Sequence, residues 1–287
     1  MNNKTILVVA DPQNDFCDIP ENELPVAPES AASGKLQPLA RPALPVAGGD
    51  ADMKRLAALV SRMRSKIDAI YVTLDSHHPV DIAHPSWWCN AKGESPAPFT
   101  TITAEDLRKG IWRTRDPALQ AHSVAYTQAL EATGRYQLVV WPEHCLIGSW
   151  GHNVHSAVKN SFDQWARERL KQVNYIFKGT NPKTEHYSAI RAEVPDSSDP
   201  STLLNVALLE RVVEADTVLL AGEALSHCVA NTVRDIANNI GEPSIKKLVL
   251  LKDCASSVPG FEKFGDDFVA ELTRRGMRTA TSTELRI

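Results

Sequence analysis

The chain has 287 residues, of which 43 % are hydrophobic and 23 % charged, values typical of a folded globular protein. A formal net charge of −4 argues against general nucleic-acid binding, which needs a basic face. No apolar stretch approaches the length of a membrane span, and the run at 6–10 meets Asp11 too soon to be a signal peptide. The five cysteines show no CxxC spacing, and an odd number without a secretory signal predicts reduced thiols in the cytoplasm.

Apolar runs and amphipathic segments alternate along the chain. Short apolar runs bounded by turn residues predict strands at 4–10, 69–74, 137–140, 173–177, 217–221 and 247–251. Apolar residues that recur every three or four positions predict helices at 52–66, 117–133, 152–170, 203–213, 229–240 and 261–275. This alternation predicts an α/β fold with a mostly parallel sheet that helices cover on both faces.

Two segments do not follow this pattern. Residues 20–50 are rich in Pro, Ala and Gly and are interpreted as an irregular excursion, a lid or an arm for oligomerisation. The segment from 78 carries many Trp, Pro and Gly residues before the helix at 117–133. The chain is therefore expected to form a single domain, 1–287, with insertions at about 20–50 and 78–135.

Side chains that can take part in catalysis or ligand binding follow five of the predicted strands. Ligands of parallel sheets bind at the carboxyl ends of the strands, so these positions are the place to look for a site. In chain order they are Asp11, then Asp75 and His77, then Trp141 and His144, then Lys178, and finally Cys228 after the turn at Gly222. One such residue could be accidental, but five strand ends together predict a functional site.

Cys228 lies where the helix after the fifth strand is predicted to begin. A thiol there faces unpaired backbone N–H groups and the positive end of the helix dipole, which favour the thiolate. The same amides could hold an oxyanion formed when sulfur attacks a carbonyl. A lone cysteine in this position could equally be a small core residue, so the other motifs of the chain must distinguish a catalytic from a structural role for Cys228.

Four segments carry a family resemblance. In chain order they are ILVVADPQNDFCD, WPEHC, FKGTNPKTEHYSAI and LLAGEALSHCVANTVRDI, and together they span 6 to about 251. They resemble the isochorismatase-like cysteine hydrolases, and more narrowly the metal-bearing nicotinamidases, also called pyrazinamidases. The resemblance implies a three-layer, Rossmann-like α/β/α fold with a six-stranded sheet. It also implies an amidohydrolase that converts nicotinamide to nicotinate and ammonia.

The resemblance implies a catalytic triad. Cys228 would be the nucleophile, Asp11 the general base, and Lys178 the cation beside both, which lowers the pKa of the thiol. Attack on an amide would release ammonia and leave a thioester that water hydrolyses. The implied oxyanion donors are the backbone N–H groups of Ala224 and Cys228, and the peptide between Glu223 and Ala224 corresponds to a cis bond in relatives.

A metal site is the second implication. Asp75, His77 and His144 would supply one carboxylate and two imidazoles, a set that suits Zn²⁺ most and also Fe²⁺ or Mn²⁺. In the enzymes that this chain resembles, the ion binds the ring nitrogen of the substrate. His84 is a possible fourth ligand. Either His77 or His144 alone could instead cap a strand end.

The substrate pocket carries both matches and departures. Phe16 and Trp141 match positions that flank the substrate ring, where aromatic faces stack favourably. The chain departs from the family with Glu223 before the Ala, and with Leu-Ser at 225–226 where relatives commonly have Thr-Asp.

These departures leave the substrate open. The expected partner is a small-molecule amide, either nicotinamide or another small amide or ureide on the same fold. A non-catalytic small-molecule binder is the alternative from another class, but a binder has no physical need for Asp11, Lys178 and Cys228 together. No nucleic-acid or membrane partner is expected, and a homo-oligomer is possible.

Overall fold

The computed structural model describes residues 3–27 and 38–286. The strands of these residues are β1 Thr5–Ala10, β2 Ala69–Asp75, β3 Trp88–Cys89, β4 Thr101–Ile102, β5 Arg113–Thr114, β6 Leu138–Val139, β7 Asn174–Lys178, β8 Thr217–Gly222, β9 Leu248–Leu251 and β10 Arg278–Ala280. Six of them form one parallel sheet in the order β10-β9-β8-β1-β2-β7. The small pairs β3–β5 and β4–β6 are antiparallel.

The central strands are buried along their whole length. Every residue of β1 and β8 is buried, as expected for strands that helices cover on both faces. Their register pairs Ala10 with Gly222, and the register of β2 and β7 pairs Asp75 with Lys178. Four neighbouring strands therefore end at one edge of the sheet, β8, β1, β2 and β7.

Helices pack on both faces of the sheet. The α-helices of the described residues are α1 Gly49–Met63, α2 Ala104–Arg108, α3 Gln120–Ala132, α4 Ser156–Arg169, α5 Val206–Glu214, α6 Ala230–Ile240 and α7 Glu262–Arg274, with a π-helical turn Leu225–Val229 before α6. Of these, α2 and α3 pack in the core of the insertion. On one face α1 and α4 bury Met53, Leu56, Val60, Phe162 and Trp165. On the other face α5, α6 and α7 bury Leu208, Val212, Val233, Ile236 and Phe268. The predicted α/β/α fold class is confirmed.

The sequence predicts that the third strand belongs to the main parallel sheet, and this prediction is wrong. Residues 137–140 do not enter the parallel sheet, because β6 pairs antiparallel with β4 of the insertion. Leu138 and Val140 are buried while Val139 is half-exposed, an alternation typical of a sheet with one face toward solvent. The sixth strand of the main sheet is instead β10, a short edge strand without an apolar run.

The two irregular segments differ in how they pack. The insertion from 78 has a core of its own around Trp87, Trp88 and Tyr126. Of the excursion at 20–50, residues 28–37 lie outside the described part of the chain. Beyond them, the N–H groups of Leu44 and Val46 donate to backbone carbonyls of residues 15 and 16. The lid or arm hypothesis for this segment stays a prediction.

Two further findings concern helix length and thiols. None of the helices in the described ranges is long and apolar enough to cross a bilayer. All five cysteines are free and buried.

Gly222 ends β8 and turns the chain toward the π-helical turn. Its φ is +113°, and a Cβ atom would lie 1.9 Å from the carbonyl oxygen of Ala10. We expect Gly222→Ala to lower the free energy of unfolding by about 3 kcal/mol or more, through backbone strain and overpacking together. Equilibrium urea unfolding measures the change.

Gly276→Ala is the matched control. Gly276 has a φ of +106°, but nothing lies within 4 Å of its added Cβ. This variant should lose only the strain component, about 1 to 2 kcal/mol. Equal losses in the two variants would show that the close approach to Ala10 is unimportant.

Candidate active site

A buried ammonium group occupies the carboxyl edge of the sheet. Lys178, the last residue of β7, places Nζ 2.9 Å from Oδ2 of Asp11 and 2.9 Å from Oδ1 of Asp75. Its third neighbour is Sγ of Cys228, at 3.6 Å. All four side chains are buried. Four strand ends thus deliver one cation, two carboxylates and one thiol to a single point.

The chain turns sharply to present Asp11. This residue follows β1 with a φ of +42°, which aims the carboxylate across the sheet edge. Its N–H donates to Oγ1 of Thr73 on β2 at 3.0 Å, and the Thr73 hydroxyl in turn donates to Oδ1 of Asp11. The neighbouring strand therefore fixes both the backbone and the side chain of Asp11.

Cys228 lies in the π-helical turn rather than at the first residue of α6. The peptide between Glu223 and Ala224 is cis, as the family resemblance implies. The carbonyl of Ala224 accepts from the N–H groups of His227 and Val229. The assignment of the amides of Ala224 and Cys228 as oxyanion donors stays a prediction.

Burial opposes the thiolate form of Cys228 that the helix end and Lys178 favour. Burial raises the pKa of the thiol well above its ordinary value, and the nearby carboxylate of Asp11 acts in the same direction. Lys178 lowers this pKa but does not outweigh burial. The thiol therefore keeps its proton at neutral pH, and a reaction through sulfur requires a base.

Asp11 meets that requirement. Burial raises the pKa of its carboxyl above the ordinary value of 3.8, although Lys178 acts in the opposite direction. A raised pKa makes the carboxylate a better proton acceptor. Asp11, Asp75 and the sulfur of Cys228 have atoms within 4.8 Å of one another. The two carboxylates hold the pKa of Lys178 well above its usual range despite burial, so the ammonium stays charged.

Three histidines form a cluster beside this centre. The ring nitrogens of His77, His84 and His144 lie within 4.8 Å of one another. Asp75 joins them, because its Oδ2 lies 3.2 Å from Nε2 of His77 and 3.4 Å from Nε2 of His144. The structure therefore brings together the three predicted ligands and also His84, which the sequence left as a possible fourth.

The donor set fits a divalent transition metal. In each ring Nδ1 contacts an oxygen: Asp81 for His77 at 3.1 Å, the carbonyl of residue 78 for His84 at 3.2 Å, and that of residue 142 for His144 at 2.8 Å. Such contacts orient a ligating imidazole and leave Nε2 for the metal. Nε2 of His84 is buried without a hydrogen-bond partner. Burial lowers the pKa of His84 to about 2, so this ring is neutral, as a ligand must be.

A pocket opens between the thiol and the histidine cluster. Both predicted ring contacts, Phe16 and Trp141, line it. The other lining residues are Leu44, Asp75, His144, Glu185, Tyr187, Ala224, His227, Cys228 and Val258. Phe16 packs edge-on against the ring of His144, with centroids 5.4 Å apart. The pocket therefore has aromatic walls, the thiol on one side and the histidine cluster on the other.

Two residues of the site have roles that sequence reasoning missed or misjudged. Glu185, seven residues after Lys178, lines the pocket, and burial raises its pKa to about 7. Its turn-rich surroundings in the sequence give no sign of burial. Glu223, counted as a departure that affects the substrate, lies outside the pocket lining and accepts a hydrogen bond from the N–H of Ser256 at 3.1 Å.

The sheet order, the flanking layers and the placement of the site at the carboxyl edge define an isochorismatase-like α/β fold. The solved structures that match it include the yeast nicotinamidase Pnc1p, with a TM-score of 0.61, 19 % sequence identity, and coverage of 96 % of this chain and 99 % of that chain. A nicotinamidase/pyrazinamidase from Acinetobacter baumanii matches with a TM-score of 0.55 and 19 % identity over 98 % of this chain and 97 % of that chain.

The third matching structure is a complex with a metal ion. The pyrazinamidase of Pyrococcus horikoshii in complex with zinc has a TM-score of 0.52 and 17 % identity, over 97 % of this chain and 99 % of that chain. No family model matches the chain, and no curated protein matches it. At these identities the likeness establishes the fold, and the chemistry must be argued from the site.

His84 provides a test of the metal cluster. We expect His84→Ala to lower the affinity for Zn²⁺ by about 10- to 100-fold or more, because a neutral nitrogen aimed at the cluster is lost. Titration of the metal-free protein against a competing chelator measures this affinity. His78→Ala is the matched control, since His78 is exposed. The Zn²⁺ affinity of this variant should equal that of the wild type. Equal affinities in the two variants would exclude His84 from the ligand set.

Proposed function

We propose that the protein is a nicotinamidase-like amidohydrolase, which hydrolyses nicotinamide to nicotinate and ammonia through a cysteine thioester. The observation that carries this proposal is the position of Lys178 Nζ, 2.9 Å from Asp11 and 3.6 Å from Cys228, beside an aromatic pocket. A binding protein gains nothing from a buried thiol, base and cation in mutual contact, whereas acyl transfer uses all three.

Asp11 starts the reaction by accepting the proton of the Cys228 thiol. Sulfur then attacks the amide carbon, and the carbonyl oxygen becomes an oxyanion for which the N–H groups of Ala224 and Cys228 are the proposed donors. Asp11 then returns the proton to the amide nitrogen. The C–N bond breaks, ammonia departs, and the acyl group remains on sulfur as a thioester. Lys178 stays protonated throughout and stabilises the negative charge as it moves between carboxylate and sulfur.

Water completes the turnover. Asp11, again a carboxylate, accepts a proton from a water molecule that attacks the thioester carbon. The second oxyanion collapses, the C–S bond breaks, and the sulfur regains a proton as the carboxylic acid leaves. The same base thus serves both half-reactions, as its burial between Lys178 and the thiol allows.

The proposed metal ligands are Asp75, His77, His84 and His144. A bound Zn²⁺, with Fe²⁺ or Mn²⁺ as alternatives, would supply a Lewis acid that holds a ring nitrogen of the substrate. Phe16 and Trp141 would hold the ring between them. The alternative substrate is another small amide or a ureide. We also propose that the protein is cytoplasmic and that it forms a homo-oligomer.

Loss of the nucleophile gives the direct test. We expect Cys228→Ala to reduce ammonia release from nicotinamide by about 10⁴-fold or more, in the Zn²⁺-loaded protein. Cys89→Ala is the control, because Cys89 is also buried but lies in β3 of the insertion. Activity of the folded Cys89 variant should match the wild type. Hydrolysis that persists in the Cys228 variant would overturn the thioester mechanism.

The pH profile gives a second test. Because Asp11 must be a carboxylate to act as base, kcat/KM should rise as pH increases through its pKa, which burial raises above 3.8. The hydrogen bond from Thr73 lowers this pKa. Thr73→Val should therefore move the acid limb of the profile to higher pH.

Thr73→Ser is the matched control for this shift. It keeps the hydroxyl that donates to Asp11, so its acid limb should coincide with that of the wild type. A limb that stays in place in Thr73→Val would assign the titration to a group other than Asp11.

A further inference from the structure

A hydrogen-bond network fixes the orientation of one ring in the pocket. The hydroxyl of Ser226 contacts two groups among the described residues: the N–H of Val258 at 3.1 Å and Nδ1 of His227 at 2.9 Å. The amide of Val258 can only donate, so the serine oxygen accepts from it. Ser226 is fully buried, so its hydroxyl hydrogen cannot turn to water.

The hydroxyl hydrogen of Ser226 therefore has one acceptor, Nδ1 of His227. The opposite arrangement, with Nδ1–H donating to the serine oxygen, would leave a buried hydroxyl hydrogen unsatisfied. Burial also lowers the pKa of His227 to about 4, so the ring is neutral at pH 7. A neutral ring that accepts at Nδ1 carries its proton on Nε2. Nε2–H is thus a hydrogen-bond donor.

This donor has no protein acceptor. Within 3–27 and 38–286, Nε2 of His227 makes no hydrogen bond, and the ring packs among aromatic side chains. His227 lines both the pocket beside Cys228 and an outer groove that includes Tyr136, Phe261 and Phe264. The unpartnered donor therefore belongs to a side chain that borders both the pocket and the groove.

Tyr187 adds a second donor on the same wall. Its ring centroid lies 5.3 Å from that of His227. The hydroxyl oxygen accepts from Nε1–H of Trp141 at 3.1 Å, and its own hydrogen has no acceptor in the described part of the chain. Both polar groups of this wall can therefore donate.

We propose that His227, held as the Nε2–H tautomer by Ser226, selects amides whose ring carries a neutral hydrogen-bond acceptor on the side that faces His227. This inference rests on the proposed amidohydrolase function and deepens its substrate class: aromatic carboxamides with such an acceptor on a ring substituent are preferred over nicotinamide itself. The acceptor is the carbonyl or ether oxygen of a ring substituent. A carboxylate is disfavoured, because Asp75 and Glu185 already line the pocket.

Direct observation of the tautomer is the first experiment. In the ¹⁵N-labelled, Zn²⁺-loaded protein, two-dimensional NMR distinguishes the protonated from the unprotonated ring nitrogen, and the missing signals of His227→Phe assign the ring. We expect the proton on Nε2. In Ser226→Asp, a carboxylate would accept from Nδ1–H, so the proton should move to Nδ1. A wild-type ring protonated on Nδ1 overturns the inference.

Ligand preference is the second experiment. Dissociation constants are measured by calorimetry on Zn²⁺-loaded Cys228→Ala, which binds without turnover, for methoxy- and ethyl-substituted nicotinamides at each free ring carbon. We expect the methoxy compound to bind about 10-fold or more tightly than the ethyl compound at one position. Adding His227→Phe should bring this ratio to about one.

The outcomes separate the two proposals. A ratio near one at every ring carbon, or a ratio that survives His227→Phe, overturns the selection by His227 even if the enzyme releases ammonia. Absence of ammonia release by the protein with Cys228 intact overturns the proposed reaction, whereas the tautomer and the binding ratio then still support His227 as the specificity residue.

Discussion

A lysine ammonium buried between two carboxylates is the interaction on which this site depends. Removing a charge from water costs several kcal/mol, and the cost is offset only when partners of opposite charge are in contact. Lys178 has Asp11 on one side and Asp75 on the other, each at 2.9 Å. Because these side chains come from three neighbouring strands, the charge balance of the site is coupled to the order and register of the sheet.

Asp75 connects the two halves of the site. One of its oxygens binds Lys178, and the other faces the nitrogens of His77 and His144. His77 and Lys178 outweigh the effect of burial and hold the pKa of Asp75 well below its usual range. A change of charge in the histidine cluster therefore reaches Lys178 and the thiol through Asp75, which couples the proposed ligand-holding groups to the proposed bond-breaking groups.

The strand-end argument predicted the position of the site because β1, β2, β7 and β8 are apolar runs that end in reactive residues. It placed His144 near this edge for the wrong reason, since β6 belongs to a small antiparallel sheet of the insertion. It missed β10, whose sequence RTA has no apolar run, and Glu185, whose burial comes from distant segments. The sequence places a cation beside Cys228, but only the fold reveals that burial outweighs that cation in setting the pKa.

The location of β7 has a dynamic consequence. This strand lies at the end of the sheet order, pairs with β2 alone, and exposes 57 % of Phe177 next to Lys178. Edge strands open by local fluctuations at lower free energy than the interior strands that carry Asp11 and Gly222. Fraying of β7 would hydrate the ammonium and release both carboxylates while the rest of the sheet stays folded. The charge contacts of the site would therefore be lost before global unfolding begins.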